Sequence, residues 1–126
     1  MDIYREQILD HFKHPRNFGH LAHKTNSSSL SNSVCGDHIT VDILLTGSKG
    51  APVVKDLSFS GVGCAISMAC ASLLTEKVKG WKSDQVMKLA LCDIEKLLGT
   101  TLTVSRVKCA LLPLEAIQKA IQKNEK

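Results

Sequence analysis

The stretch Gly61-Val62-Gly63-Cys64-Ala65-Ile66-Ser67 places a cysteine where an extended segment gives way to a helical one. The glycines let the backbone turn sharply and leave room beside the thiol. A helix beginning just past Cys64 directs the positive end of its dipole at the sulfur, which favours thiolate over thiol. Because thiolate is the form that binds metals and attacks sulfur, this stretch predicts a metal-binding or reactive cysteine at a strand-to-helix junction.

A β-hairpin is predicted directly before this stretch. In residues 38–46 apolar side chains alternate with polar ones, which indicates a half-buried strand. Residues 47–50 form a glycine-containing turn, and residues 53–60 form the returning strand. In an antiparallel pair the start of the first strand lies beside the end of the second. The hairpin is therefore predicted to bring Cys35 and Cys64 together.

Helices account for most of the remaining pattern. Amphipathic periodicity predicts a helix over residues 3–14, and a run of small residues predicts another over residues 65–79. Ser83 and Asp93 are suitable N-caps for two shorter helices, the second of which ends at Gly99. These helices supply the apolar faces that a small sheet needs to cover one of its sides.

Two segments lack clear periodicity. The polar segment 16–34 leads directly into Cys35, so we expect a mobile arm or lid beside a site, with plain disorder as the alternative. Residues 100–108 are expected to form a connector. A last helix is predicted from about Cys109 to Gln122, because Pro113 fits only the first turn of a helix. Cys109 is thus expected at a helix N-terminus.

Length and composition indicate one domain spanning residues 1–126. The chain is 44% hydrophobic and 22% charged, with a net charge of +4. It contains no apolar run of the roughly 18 residues that a membrane span needs, and its N-terminus lacks the core of a signal peptide. Basic residues are not interleaved with aromatic ones, as nucleic-acid binding surfaces require. We therefore expect a cytoplasmic protein that binds neither membrane nor nucleic acid.

Five cysteines in a cytoplasmic chain favour metal binding or thiol chemistry over a disulfide scaffold. Three of them, Cys35, Cys64 and Cys109, lie at predicted junctions between structural elements. Together with Asp37 they form a candidate four-ligand site. Soft thiolates select zinc, Cu(I) or iron–sulfur clusters, and a carboxylate adds a harder ligand.

The other candidate side chains are assigned to structural or solvated positions. Cys70 is expected to be a small buried side chain inside a helix, and Cys92 to be structural at the joint between two helices. His11, His14 and His38 are expected to be solvated. The motifs of serine hydrolases, P-loop nucleotidases, zinc proteases and dinucleotide-binding proteins are absent from the sequence.

Five segments form a characteristic set in this order. They are Tyr4-Arg5-Glu6-Gln7-Ile8-Leu9-Asp10-His11-Phe12, His14-Pro15-Arg16-Asn17-Phe18-Gly19, Cys35-Gly36-Asp37, Gly63-Cys64-Ala65-Ile66-Ser67 and Lys108-Cys109-Ala110. This set resembles the iron–sulfur cluster assembly scaffold family, which includes IscU, SufU and the N-terminal domain of NifU. The resemblance covers nearly the whole chain.

The resemblance implies an α+β fold, in which a small antiparallel β-sheet of about three strands carries helices mainly on one face. It implies that Cys35, Asp37, Cys64 and Cys109 form one exposed site. That site would hold a transient [2Fe–2S] cluster, and Zn²⁺ is also often found there in this family. The implied partners are a pyridoxal-phosphate-dependent cysteine desulfurase, which supplies sulfur, and apo-proteins, which receive the cluster.

Two departures from the family pattern distinguish its branches. Lys108 before the third cysteine is similar to SufU-type members, but the insertion that those members carry before this cysteine is absent. Thr103–Val107 replaces the Leu-Pro-Pro-Val-Lys segment that IscU offers to its Hsp70-type chaperone, so the resemblance does not extend to that partner.

Two functions therefore remain open. The first is a scaffold, which is a carrier rather than an enzyme. The alternative is a zinc-dependent sulfur acceptor that activates a cysteine desulfurase. In this alternative a ligand exchange at zinc frees Cys109 to attack the desulfurase persulfide.

Overall fold

The computed structural model describes residues 3–32, 36–47 and 52–123. Along the chain these residues form α1 (Ile3–Lys13), β1 (Asn26–Asn32), β2 (Asp37–Thr46), β3 (Val53–Val62), α2 (Ala65–Val78), α3 (Ser83–Met87), α4 (Leu91–Leu98) and α5 (Val104–Lys123). The strands form one antiparallel sheet in the order β1-β2-β3. Helix α5 packs against β1 and β2, while α2 packs against β3 and against α5. This architecture confirms the expected α+β fold.

The two strands of the predicted hairpin are confirmed as an antiparallel pair, whereas residues 48–50 of its predicted turn lie outside the described residues. The paired strands build the centre of the core. Ile39, Val41 and Ile43 alternate along β2 and are fully buried. Across the β2–β3 register, Val41 lies opposite Phe59 and Ile43 lies opposite Leu57. Since burying a side chain of this size contributes roughly 2 kcal/mol, this face of the hairpin holds the sheet against α2 and α5.

Near its end, at Gly61, β3 runs close beside the start of β2. Gly61 adopts a φ of +128°, and a Cβ at this position would lie 1.9 Å from the carbonyl oxygen of His38. A side chain would therefore clash with the neighbouring strand and strain the backbone. Glycine at position 61 allows β3 to run close beside the start of β2.

The prediction of a mobile or disordered arm over residues 16–34 is wrong for residues 26–32, which form β1, while residues 33–34 lie outside the described part of the chain. On the inward face of this strand Asn26 and Ser28 are polar and only Leu30 is hydrophobic, so the sequence shows no hydrophobic alternation. Ser28 Oγ donates a hydrogen bond to the carbonyl of Ala116 over 2.5 Å, and Asn26 Nδ2 donates to that of Ala120 over 2.9 Å. These hydrogen bonds to α5 replace the apolar contacts that an ordinary edge strand would make.

The segment before β1 is also attached to the sheet. The backbone N–H of Phe59 donates to the carbonyl of Asn17 over 2.9 Å, and that of Gly19 donates to the carbonyl of Phe59 over 2.7 Å. On the other side, the buried Asp42 carboxylate accepts hydrogen bonds from Leu21 N and Ser27 Oγ. Residues 16–25 are therefore held at both edges of the hairpin.

Helix α1 packs on α2 through a buried polar pair. His11 is buried, and its Nδ1 lies 2.7 Å from Ser72 Oγ. The same hydroxyl accepts a hydrogen bond from the backbone N–H of Arg16 over 2.9 Å. The prediction that His11 is solvated is therefore wrong. Its hydrogen-bond partner lies on a different helix, so the sequence around His11 gives no sign of its burial. His14 is exposed, as predicted.

The predicted start of the last helix is also wrong. Helix α5 begins at Val104, where Arg106 N and Val107 N both donate to the carbonyl of Thr103. Threonine and valine are weak helix formers, and the first three residues of the helix are exposed, so neither propensity nor burial marks the start of the helix in the sequence. Pro113 consequently lies inside the helix rather than in its first turn.

Two short helices cover the end of the core. Ser83 is the first residue of α3 rather than its N-cap, and the Asp93 carboxylate accepts a hydrogen bond from Ala90 N at the start of α4. Gly99 ends α4 in a left-handed conformation, as predicted. Among the helices of the described residues, none combines the length and apolar character that crossing a membrane requires.

Candidate metal centre

Asp37 begins β2 and has a buried side chain. The register pairs His38 with Val62, so the start of β2 lies beside the end of β3 and the residues that follow it. Asp37 Oδ1 accepts a hydrogen bond from the backbone N–H of Cys64 over 3.1 Å. The hairpin thus brings a carboxylate against the junction that the sequence predicts to be functional.

Cys64 is the N-cap of α2. Its backbone is extended, with φ −71° and ψ 170°, and its thiol accepts a hydrogen bond from Ser67 N over 3.4 Å. The thiol is half-buried, and its sulfur lies 4.0 Å from Asp37 Oδ2. A sulfur in this position receives a backbone N–H and lies at the positive end of the helix dipole.

Cys109 completes a cluster of three potential ligand atoms. The sulfurs of Cys64 and Cys109 and a carboxylate oxygen of Asp37 all lie within 4.8 Å of one another. Cys109 is fully buried and lies in the second turn of α5. The expectation that it starts a helix is wrong, and the dipole argument does not carry over to it, because that effect fades beyond the first turn.

The fourth expected ligand, Cys35, lies outside the described residues. The described chain resumes at Gly36, whose backbone N–H donates to the carbonyl of Asn32 over 2.9 Å, and continues into Asp37. The structure thus brings Asp37, Cys64 and Cys109 together, and the position of Cys35 stays a prediction.

The donor set fits a thiophilic metal ion. Two thiolates bound tetrahedrally to zinc at about 2.3 Å are about 3.8 Å apart, so atoms within 4.8 Å need only small movements to share one ion. The surroundings also contain an unsatisfied polar atom, because Ser67 Oγ is buried without a hydrogen-bond partner among the described residues. Thiol and carboxylate ligands with a spare donor nearby are typical of a metal centre and its supporting hydrogen bonds.

The two remaining described cysteines lie outside this centre. Cys70 is buried as predicted, and its thiol donates to the carbonyl of Ala110 over 3.2 Å. Burial raises the pKa of the Cys70 thiol far above its usual range, so it stays protonated and inert.

The structural role predicted for Cys92 is wrong, because its side chain is exposed. Ile94 and Leu98 face the core from the same helix. Cys92 precedes Ile94 by two residues, which turns it about 200° away around the helix axis. His38 is exposed, as predicted, and its Nδ1 lies 2.7 Å from Ser31 Oγ.

Ser67 is the residue near the centre that sequence reasoning missed. It is the last residue of the motif Gly63-Cys64-Ala65-Ile66-Ser67, but it lies on a helix rich in small residues and nothing in the sequence indicates a role for its hydroxyl. Only its burial beside Cys64 and Asp37 distinguishes it from the other serines of the chain.

Comparison with known proteins gives a consistent result. The family model described as "NifU-like N terminal domain" matches residues 3–126. The zinc-dependent sulfurtransferase SufU of Bacillus subtilis (strain 168) is 35% identical, over 98% of this chain and 92% of that protein. The alignment spans 143 positions, more than the 126 residues of this chain, so that relative carries additional residues.

Two further relatives are named as scaffolds. The iron–sulfur cluster assembly scaffold protein IscU of Aquifex aeolicus (strain VF5) is 34% identical, over 94% of this chain and 74% of that protein. A crystal structure from Fervidobacterium islandicum AW-1, described as a putative iron–sulfur cluster assembly scaffold protein for the SUF system, is 26% identical. It superimposes with a TM-score of 0.72, covering 92% of this chain and 94% of the other.

Proposed function

Because this chain belongs to the NifU-like N-terminal domain family, which includes the IscU and SufU scaffold proteins, we propose that it assembles iron–sulfur clusters. It accepts sulfur from a pyridoxal-phosphate-dependent cysteine desulfurase, builds a [2Fe–2S] cluster on Cys35, Asp37, Cys64 and Cys109, and passes the cluster to apo-proteins. The observation that carries this proposal is the convergence of Asp37, Cys64 and Cys109, whose ligand atoms lie within 4.8 Å of one another.

The cluster is cargo, and the ligand set suits temporary binding. Thiolates hold iron firmly, whereas a carboxylate is a harder and weaker ligand for a cluster iron. Asp37 is also held by Cys64 N, so the carboxylate keeps a protein partner when it releases a metal. An iron held through Asp37 is therefore the point at which the cluster is most readily released to a recipient.

Sulfur acceptance requires a free thiolate. In the proposed step the Cys109 thiolate attacks the outer sulfur of the desulfurase persulfide. A new sulfur–sulfur bond forms on Cys109, the old one breaks, and the desulfurase cysteine leaves as a thiolate. Because Cys109 is fully buried whereas Cys64 is half-buried, this step requires the centre to open.

A second candidate function is a zinc-dependent sulfur acceptor. It is favoured by the Bacillus subtilis relative, which is named a zinc-dependent sulfurtransferase and is 35% identical over nearly the full length of both chains. Zinc would be held by Asp37, Cys64 and Cys109, with Cys35 as the fourth ligand, and would keep the thiolates deprotonated. Exchange of one ligand would then supply the opening that exposes Cys109.

We place either activity in the cytoplasm, because a site built from thiols needs a reducing compartment. Cys64 is a free cysteine in the described structure. The proposal includes no membrane, nucleic-acid or Hsp70-type partner.

The test is reconstitution without oxygen. Purified protein is supplied with ferrous iron, cysteine, a cysteine desulfurase and dithiothreitol, which reduces persulfide sulfur to sulfide, and its iron, zinc and acid-labile sulfide are measured. Iron and sulfide in equal amounts, with visible absorption and transfer to an apo-ferredoxin, support the scaffold. One persistent zinc without sulfide, together with faster desulfurase turnover, supports the sulfur acceptor. Protein that binds neither metal nor sulfide would overturn both.

A matched pair of cysteine variants shows whether the signal comes from this centre. Cys64→Ser removes a ligand, whereas Cys92→Ser removes an exposed thiol outside the centre. Loss of the bound metal is expected only with Cys64→Ser. Equal loss with both variants would contradict the proposed site.

A further inference from the structure

Ser67 has a buried hydroxyl that is left without a hydrogen-bond partner in the described part of the chain. The residue is fully buried in the first turn of α2, three residues after the cap Cys64. Its backbone N–H already donates to Cys64 Sγ over 3.4 Å. Because buried hydroxyls almost always have partners, an unpaired one beside two potential metal ligands suggests that its partner depends on the state of the centre.

Gly63 leaves an open space between this hydroxyl and Asp37. A Cβ at position 63 would lie 3.0 Å from Ser67 Oγ and 3.3 Å from Asp37 Oδ1, so the two oxygens flank the same point. No left-handed φ is recorded for Gly63, so its backbone does not by itself require glycine. The absence of a side chain here keeps the path between the hydroxyl and the carboxylate clear.

Asp37 can accept a second hydrogen bond. Its Oδ1 receives one from Cys64 N over 3.1 Å, and a carboxylate oxygen has a further lone pair. Ser67 Oγ turns about a single side-chain bond between staggered positions, so the hydroxyl can be redirected without movement of the backbone.

We propose that Ser67 is a positioning residue of the metal centre, whose hydroxyl donates a hydrogen bond to the Asp37 carboxylate when a metal ion is bound. This inference rests on the proposed metal-binding function. The bond orients the carboxylate toward the metal and satisfies a hydroxyl that is otherwise buried alone. Ser67 binds no metal itself and acts only through Asp37.

The test compares Ser67→Ala with Ser83→Ala. Ser83 is also fully buried with an unpartnered hydroxyl among the described residues, but it lies at the start of α3. Zinc dissociation constants are measured by competition with a chromophoric chelator, and Co²⁺ binding by its thiolate charge-transfer absorption. We expect Ser67→Ala to weaken zinc about tenfold and Ser83→Ala to change it less than twofold.

A double-mutant cycle tests whether Asp37 is the acceptor of the hydrogen bond from Ser67. In an Asp37→Ala background, Ser67→Ala is expected to change zinc affinity less than twofold, because the acceptor is already gone. A full tenfold effect in that background would overturn Asp37 as the partner. Thermal melts of the metal-free variants should show no loss of stability, since each serine variant removes an unpaired hydroxyl.

A third variant keeps the test decisive if Ser67→Ala does not fold. Gly63→Ala fills the open space while retaining both oxygens, and it should weaken zinc binding to a similar degree. Unchanged zinc affinity in Ser67→Ala, or in Gly63→Ala if that variant has to replace it, would overturn the role of Ser67 and leave the proposed function intact. Wild-type protein that binds neither zinc nor cobalt would overturn both.

Discussion

The backbone N–H of Cys64 donates a hydrogen bond to the Asp37 carboxylate over 3.1 Å, which joins the residue that caps α2 to the first residue of β2. The N–H of a residue at the start of a helix needs such a partner. In many helices the side chain of the third residue after it in the sequence accepts this hydrogen bond. Here the partner comes from a separate strand. The carboxylate is therefore held close to the Cys64 thiol before any metal arrives.

Two substitutions of Asp37 distinguish the role of its charge from the role of its hydrogen bond with Cys64 N. We expect Asp37→Ala to weaken zinc at least tenfold and to slow release of an assembled cluster, because the weak ligand is lost. Asp37→Asn keeps an acceptor for Cys64 N and should destabilise the fold less than Asp37→Ala. Chelator competition, cluster-transfer kinetics and thermal melts measure these effects.

The control for Asp37 is Asp93→Ala. Asp93 also accepts a hydrogen bond at a helix start, from Ala90 N over 2.9 Å, but it lies on α4. Its loss should lower stability by about 1 kcal/mol and leave zinc affinity unchanged. If Asp37→Ala behaves in the same way, Asp37 is only a helix cap.

Serine substitutions at the cysteines should divide them into two groups. Cys64→Ser and Cys109→Ser are expected to lose bound metal, because each removes a soft ligand. Cys70→Ser should keep its metal and lose about 1 kcal/mol of stability, since a buried thiol that donates to Ala110 O becomes a hydroxyl there. Cys92→Ser should change neither property. Metal analysis after gel filtration checks all four, and metal loss in Cys70→Ser or Cys92→Ser would place the centre elsewhere.

Gly61→Ala is expected to destabilise the protein by about 2–4 kcal/mol, since it combines a strained φ with a clash against the neighbouring strand. Gly80→Ala is the matched control. Gly80 also has a positive φ, of +85°, but a Cβ there would have no atom within 4 Å. We expect Gly80→Ala to lower the free energy of unfolding by only about 1 kcal/mol. Urea unfolding of both variants gives the comparison, and equal losses would show that backbone strain alone, rather than the clash, sets the requirement at Gly61.

Stability is expected to fall under mildly acidic conditions because of His11. Burial lowers the pKa of its imidazole, with the Arg16 charge adding to this effect and Glu76 and Asp10 opposing it. A lowered pKa in the folded state means that folding favours neutral His11. Its contribution to stability is complete above the unfolded pKa of about 6.5 and is lost as the pH falls through the folded pKa.

The matched variant is His11→Gln, which cannot titrate. The melting temperature of the wild type should decline more steeply than that of His11→Gln from pH 7 toward pH 5. Parallel curves for the two proteins would show that protonation of His11 does not weaken the packing of α1 on α2.

Local sequence patterns were sufficient for the hairpin and for the helix that follows it. The alternation of Ile39, Val41 and Ile43 can be read without knowing any partner, because it reflects the two faces of one strand. The same holds for Cys64, whose position at a strand-to-helix junction follows from its neighbours. The local contexts of Asp37 and Cys109 made them candidate partners of Cys64, and the family resemblance implies the same set.

Features that depend on distant partners could not be read in this way. The strand β1 consists mainly of serine and asparagine, and it is ordered because Ser28 and Asn26 donate hydrogen bonds to carbonyls of α5. His11 is buried because α1 packs on α2, and its hydrogen-bond partner there is a serine 61 residues away in the sequence. The early start of α5 moves Cys109 from a helix end into the second turn, and no capping signal in the sequence marks it.

The sequence by itself therefore determined the hairpin, the junction at Cys64 and, through its motifs, the family. Each of these depends on neighbours in the chain or on a recognisable order of short segments. Only the tertiary structure decided that Asp37 and Cys109 lie within ligand distance of Cys64, and that Ser67 is buried beside them. The physical reason is that such distances are set by strand register and helix packing, which join residues far apart in the sequence.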